Sequence, residues 1–432
     1  MAEIHGEVKD GFEGVRDAFA RNFDEGNETG ACYSVYHRGE KVVDLWGGVA
    51  DPRTGRPYER DTLQLVFSTT KGATAVCAHL LAQRGELDFD EKVATYWPEF
   101  GAAGKGHIPV RWLLSHKAGL PYVDTKLSLD EVLAWDPMVE ALAAQEPVWE
   151  PGEQHGYHAT TYGWLVGEVI RRVTGKSVGA FFQEEVAGPL GLDFWIGLPP
   201  EQKDRVAPLE VLDLPRDDPG VAEMIDQFIG PDTMLGKALF AGGAFSDDEF
   251  ATFNREDVHA AEIPAANAIC DARSLARMYA SLVGEVDGTR LLSPEQVEIA
   301  TTKQTDGVDT VILGLDLQYG LGFMLPSTIL VIGGGERSFG HYGAGGSVGF
   351  ADPDAGLGVG YAMNKMFLGL TGDPRTTNLI RATYELRSGS DGPALPTSGR
   401  TPAKVPRCYG RARYEDLGPT RRPRTSRRGP RP

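Results

Sequence analysis

The sequence has little cysteine for its length: Cys32, Cys77, Cys270 and Cys408 are four in 432 residues, and none stands in a CxxC or other metal-ligand spacing. A zinc-ribbon module and a dithiol redox motif are therefore excluded. The nine histidines contain no HExxH pair, and no metal and no cofactor are expected. No apolar run reaches membrane-spanning length, so no membrane partner is expected. The stretch Met1 to Asp10 has no basic region followed by an apolar one, so no export signal is read and a soluble cytoplasmic protein is the expectation. Positive charge is also in deficit. A net charge of −18 speaks against nucleic acid as a partner, because such surfaces need a basic footprint.

What is present fits a globular enzyme. Composition is 41% hydrophobic and 24% charged, which suits a chain with a large core. The charge is uneven. From Arg387 onward there are 12 Lys+Arg against 3 Asp+Glu, which leaves 31 basic against 58 acidic residues and −27 on the rest. Residues 387–432 are rich in Pro, Gly and Arg, and a disordered basic tail is expected there. Before it, periodicity orders the elements. Phe12, Val15, Phe19 and Phe23 predict an opening helix, and Ala31 to Tyr36 with Lys41 to Trp46 predict a hairpin followed by a loop from Gly47 to Tyr58. Helices are predicted at Val110 to His116, Leu129 to Ala144, Thr160 to Val173, Val178 to Val186, Ala272 to Leu282 and from Ser293. Leu198 to Pro264 is acidic and irregular. Strands are predicted at Tyr319 to Met324, Ile329 to Ile332, Gly346 to Ala351 and Gly358 to Met363, with a closing helix at Asp373 to Leu386. Strands at both ends and helices between them imply an α+β fold. One lobe is formed by residues 1–75 and 305–386, and a mainly helical lobe by residues 76–304.

Chemistry concentrates at Ser68-Thr69-Thr70-Lys71. If a helix begins at Ser68, the Lys71 amine lies one turn from the Ser68 hydroxyl on the same face, a serine nucleophile beside a base. Ser68 and Thr69 suit an N-cap. Ala73, Val76, Cys77, Leu80 and Leu81 recur at helical spacing, which puts the Cys77 thiol in the core, and Gly85 stands at the C-terminal cap. A helix start also favours developing negative charge. Two further clusters flank predicted elements: Pro151 to Ala159 before a helix, and Phe339 to Ser347 at the start of a strand.

With these three stretches the chain resembles the serine β-lactamase-like superfamily, that is class C β-lactamases, DD-peptidases and family VIII carboxylesterases. Ser68-Thr69-Thr70-Lys71 looks like the first box, Tyr157-His158-Ala159 like the Y-x-N box, and His341-Tyr342-Gly343 like the K-T-G box in its H-x-G form. Leu113-Leu114-Ser115-His116, Gly119-Leu120-Pro121 and Pro189-Leu190-Gly191-Leu192 are similar to landmarks between the boxes. The resemblance spans Phe12 to Leu386. It implies a β-lactamase/transpeptidase-like fold, an antiparallel sheet flanked by helices with an inserted helical lobe. It implies Ser68 as the acylated nucleophile, Lys71 as its base and Tyr157 as the proton relay. His341 and Gly343 would line the substrate site, and the Ser68 and Ala344 amides would form the oxyanion hole. Ala159 stands where Asn is usual and His341 where Lys is usual. Both departures favour uncharged esters over carboxylated amides, so a carboxylesterase of small-molecule esters is expected. A β-lactamase or D-amino-acid peptidase is the alternative, and a non-catalytic penicillin-binding sensor a second. A homo-oligomer is left open. Gly345-Gly346-Ser347-Val348-Gly349 matches the G-x-S-x-G elbow, but strand-like sequence and no histidine follow it, so Ser347 is not read as a nucleophile.

Overall fold

A computed structural model describes residues 2–211, 223, 226–245, 250–312, 314–367 and 373–385, all within one compact unit, Met1–Pro393. The tail expected to be disordered, residues 387–432, lies outside the described residues.

The chain opens with strand β1 (Ile4–Val8) and helix α1 (Glu13–Asp24), followed by the hairpin β2 (Gly30–His37) and β3 (Glu40–Asp51). Strand β4 (Arg56–Pro57) folds back on β3, and β5 (Leu63–Leu65) leads towards helix α2 (Thr70–Gln83). Helix α3 (Thr161–Thr174) and strands β6 (Phe194–Trp195), β7 (Val206–Ala207) and β8 (Ile269–Cys270) follow, then helix α4 (Ala272–Val283). Strands β9 (Gln318–Tyr319), β10 (Met324–Leu325), β11 (Phe339–Tyr342), β12 (Val348–Asp352) and β13 (Leu357–Met363) and helix α5 (Pro374–Glu385) complete it. The main sheet runs β1-β3-β2-β13-β12-β11-β10-β9, with β4 beside β3, and its pairings are antiparallel. Strands from the two ends of the sequence meet at β2 and β13. A second sheet, β6-β8-β5-β7, carries the approach to the site. The β-lactamase/transpeptidase-like α+β architecture expected from the sequence is the one observed.

The β2 and β13 side chains are buried on both faces, which explains their near-continuous apolar sequence. Tyr33 and Val35 pack with Val15 and Phe19 of α1 and Leu379 of α5, while Cys32 faces the cluster holding Leu275 and Met278 of α4. Helix α4 lies directly on the sheet because β13 offers Gly358 there; a Cβ at that position would run into the Ala280 amide.

Several expected boundaries move. The Gly47–Tyr58 loop is strand as far as Asp51, because Gly48 pairs with Gly30 of β2 and Val49 and Asp51 pair with Pro57 and Arg56 of β4, while β1, which the polar N-terminus did not suggest, pairs with β3 from Val43 to Gly47. The helix expected over Leu129–Ala144 is two, Leu129–Leu133 and Asp136–Ala144. It breaks at Trp135, whose φ is +70°, just before Pro137. Tyr319–Met324 is not one strand but the ends of β9 and β10 around Gly322 at φ +87°. Ile329–Ile332 forms no strand. Among the described residues no helix is long and apolar enough to cross a membrane.

Candidate active site

The site begins where β5 gives way to α2. Phe67 adopts φ +43°, a conformation that costs a non-glycine residue about 1–3 kcal/mol and persists only when its surroundings hold it. Here they do: its ring meets Phe250 and Phe253 at centroid distances of 5.3 and 5.0 Å. The kink turns the chain through a 3-10 turn, Phe67–Thr69, into α2. Ser68 is partly exposed between two buried neighbours. The expected capping by Ser68 and Thr69 is absent, since neither side chain caps the helix. The Thr69 hydroxyl is engaged instead with Ser347 and the His341 carbonyl.

Helix α2 is buried on every side from Thr70 to Leu81. Lys71 is therefore 0% exposed, and burial holds its ammonium well below the usual lysine range. Its Nζ lies 3.1 Å from Ser68 Oγ, 2.7 Å from the Ala159 carbonyl and 2.9 Å from the Ala265 carbonyl. The amine is thus held by two carbonyls within hydrogen-bond reach of the Ser68 hydroxyl. The loop before α3 supplies Tyr157, whose ring lies 4.8 Å from Lys71 Nζ. Burial raises the Tyr157 phenol above its usual range, and its hydrogen bond with Ser68 pulls the other way. The phenol thus stays protonated at neutral pH.

Tyr157 is held from behind. Asp309 Oδ1 accepts its backbone N–H at 3.1 Å, along with those of Val311 and Ile312 at 2.9 and 2.8 Å. Tyr319 stacks on the Tyr157 ring at 6.2 Å and 11°, and donates its hydroxyl to Asp309 Oδ2 at 3.3 Å. His116 packs its ring against Tyr157 at 5.0 Å and accepts the His158 N–H on Nδ1 at 3.1 Å. The two histidines nearest the second box are structural. His158 bonds the Gly156 carbonyl through Nδ1 and accepts the Leu120 amide on Nε2. His155 Nε2 meets the Leu317 carbonyl at 3.2 Å.

From the other side β11 brings His341, its ring 6.1 Å from that of Tyr157. His341 is 0% exposed, and burial, with Lys71 nearby, lowers its imidazole to about 3. Its Nδ1 donates to the Tyr342 carbonyl at 2.6 Å, so Nε2 carries a bare lone pair, buried and without a partner. Ala344, just beyond β11, is partly exposed and lines the same pocket as Ser68. Among the described residues, none of the backbone hydrogen bonds of turns and loops uses the Ser68 or Ala344 amide as donor. Gly343 lies underneath rather than in the pocket, and a Cβ there would run into the Val66 carbonyl and Ser347 Oγ. The pocket, about 40 Å³, is walled by Phe67, Ala159, Leu239, Phe245, Phe253 and Ala344, and none of its lining residues among the described ones is charged.

The structure brings Ser68, Lys71, Tyr157, His341 and Ala344 together. Sequence reading missed the Ala265 carbonyl, the Asp309–Tyr319 support and the phenylalanine wall. The clustered Phe240, Phe245, Phe250 and Phe253 were a visible signal in an otherwise polar stretch. Ser347, the false elbow, is buried, and its Oγ donates to the Val66 carbonyl at 2.8 Å.

The family model described as Beta-lactamase matches residues 16–382. Esterase/beta-lactamase LipL of Mycobacterium tuberculosis is 36% identical over 377 residues, covering 84% of this chain and 83% of its own. Among solved structures, a family VIII carboxylesterase is 40% identical with a TM-score of 0.79, covering 89% of this chain and 100% of that one. EstA from Arthrobacter nitroguajacolicus Rue61a is 33% identical with a TM-score of 0.79, covering 89% of this chain and 98% of that one. With most of its length matched in sequence and in fold, the chain belongs to the beta-lactamase family.

Proposed function

We propose that this protein is a serine carboxylesterase that hydrolyses small, uncharged esters through an acyl-enzyme on Ser68. The observation that carries the reading is the contact of Ser68 Oγ with a fully buried Lys71 amine at 3.1 Å. A lysine kept neutral by burial accepts the serine proton as the hydroxyl attacks the ester carbonyl. The Ser68 and Ala344 amides receive the oxyanion. Tyr157, protonated and bonded to Ser68, passes a proton to the leaving alkoxide, and the same groups activate water for deacylation. The names of the relatives, an esterase/beta-lactamase and a family VIII carboxylesterase, support the same chemistry.

The choice of ester over β-lactam rests on charge. A β-lactam carboxylate needs a cation, and the residue in the third box is a neutral His341. Ala159 offers a methyl group where an amide would bind the substrate's amide side chain. An alkoxide or phenoxide also leaves more readily than an amine. The test is kcat/KM on p-nitrophenyl butyrate against a chromogenic cephalosporin. The ester should be favoured by at least about two orders of magnitude, equivalent to roughly 2.7 kcal/mol in the barrier. Equal or better use of the cephalosporin overturns the assignment.

A further inference from the structure

The oxyanion hole proposed above draws its two amides from segments far apart in the chain, the turn at Ser68 and the loop at Ala344. Two amides receive one oxygen only if the distance between them is held to a few tenths of an ångström. Something must fix the two segments to each other, and the buried hydroxyls between them are Ser347 and Thr69, both 0% exposed.

Their protons can be counted. Ser347 Oγ donates to the Val66 carbonyl at 2.8 Å, so its proton is used on the turn that precedes Ser68. Thr69 Oγ1 lies 3.1 Å from Ser347 Oγ and 3.3 Å from the His341 carbonyl. With the serine proton spent, the threonine proton runs back toward Ser347 Oγ and shares the His341 carbonyl. Ser347 also closes its own loop, because its carbonyl accepts the Gly343 amide at 2.8 Å. Gly343 lacks a Cβ that would collide with both the Val66 carbonyl and Ser347 Oγ. The far side of the loop is tied down separately. Arg375 Nη2 donates to the Gly345 carbonyl at 2.7 Å, and Thr376 Oγ1 to the Gly346 carbonyl at 3.0 Å.

We infer that Ser347, with Thr69, is a positioning residue: its hydroxyl clamps the Ala344 loop to the Ser68 turn and sets the spacing of the two oxyanion-hole amides. The inference rests on the Ser68 reading above. The clamp acts on an oxyanion that exists only as the ester carbonyl becomes tetrahedral. Its loss therefore weakens the transition state and leaves ground-state binding nearly intact.

The experiment compares Ser347→Ala, Thr69→Val and the double variant with the unmodified protein, on p-nitrophenyl butyrate and on the matching thionoester. In a thionoester, sulfur replaces the carbonyl oxygen and sits badly in a hole built for oxygen. Ser347→Ala should lose about tenfold or more in kcat with KM within about twofold. Its preference for the oxo over the thiono ester should narrow. Thr69→Val, nearly isosteric, should lose less, and the double variant should be no worse than Ser347→Ala alone, because Thr69 acts through Ser347. Unchanged kcat and an unchanged oxo-to-thiono ratio in a folded Ser347→Ala protein overturn the inference, as does a loss confined to KM. Should Ser347→Ala fail to fold, an unchanged ratio in Thr69→Val overturns it equally. A Ser68→Ala protein that still turns over the ester would instead overturn the nucleophile assignment, so the two failures are distinguishable.

Discussion

Replacing Lys71 by methionine tests the centre of the mechanism. Methionine keeps the length and unbranched shape of the side chain, and it fits a slot with no exposure to solvent. It removes the one group that can take the Ser68 proton at 3.1 Å. A positioned base contributes about 10²- to 10⁴-fold, which is roughly 2.7–5.5 kcal/mol at about 1.4 kcal/mol per decade. Turnover of p-nitrophenyl butyrate should fall by that factor while the protein stays folded. Burial depresses Lys71 in the folded protein, whereas the unfolded chain carries a lysine that titrates near the ordinary lysine value of 10.5. Between the depressed value and 10.5 the unfolded state binds one more proton, so stability from this group rises with pH. The slope is about 1.4 kcal/mol per pH unit. Urea unfolding at successive pH values across that window should therefore show the unmodified protein gaining on Lys71→Met as pH rises. In the unmodified enzyme kcat/KM should also rise with pH along its acid limb as Lys71 loses its proton, with no contribution from His341, which is neutral above about 3. A Lys71→Met enzyme that keeps more than a tenth of its kcat refutes the base assignment, and parallel stability curves refute the neutral buried amine.

Tyr157→Phe should lower kcat by about 10²-fold or more, because the relay to the leaving group and to water is gone while the ring packing with Tyr319 survives; steady-state and burst kinetics on the same ester measure it. Arg375 is 2% exposed and paired with Asp373 at 2.7 Å and Glu28 at 3.2 Å, so Arg375→Met leaves two buried carboxylates without their cation. Unfolding in urea should show a loss of about 3–5 kcal/mol.

The local alphabet of the site is written in the sequence. The i,i+3 relation of Ser68 and Lys71 follows from helical geometry alone. The order of the three boxes and the Gly-rich run after His341 were enough to name the residues that the fold gathers. Departures from the usual second and third boxes, Ala159 and His341, were likewise visible, and they point to an uncharged substrate. Charge excess, cysteine spacing and the missing histidine after Ser347 removed other chemistries without any structure.

Tertiary structure decided what depends on contacts between distant residues. The depression of Lys71 below the usual lysine range follows from packing around the whole of α2, and the carbonyls of Ala159 and Ala265 that fix its amine lie 88 and 194 residues away. No local pattern encodes that environment. The kink at Phe67 is held by phenylalanines from the segment that looked irregular, because aromatic burial outweighs the cost of a left-handed residue there. Strand β1 forms although its sequence is polar, since an edge strand needs only backbone pairing on one side. Ser347 carried a motif that pointed to a nucleophile, and the fold placed it at the joint between two segments instead. Short motifs state which groups are available, and long-range packing sets their protonation, their spacing and therefore their work.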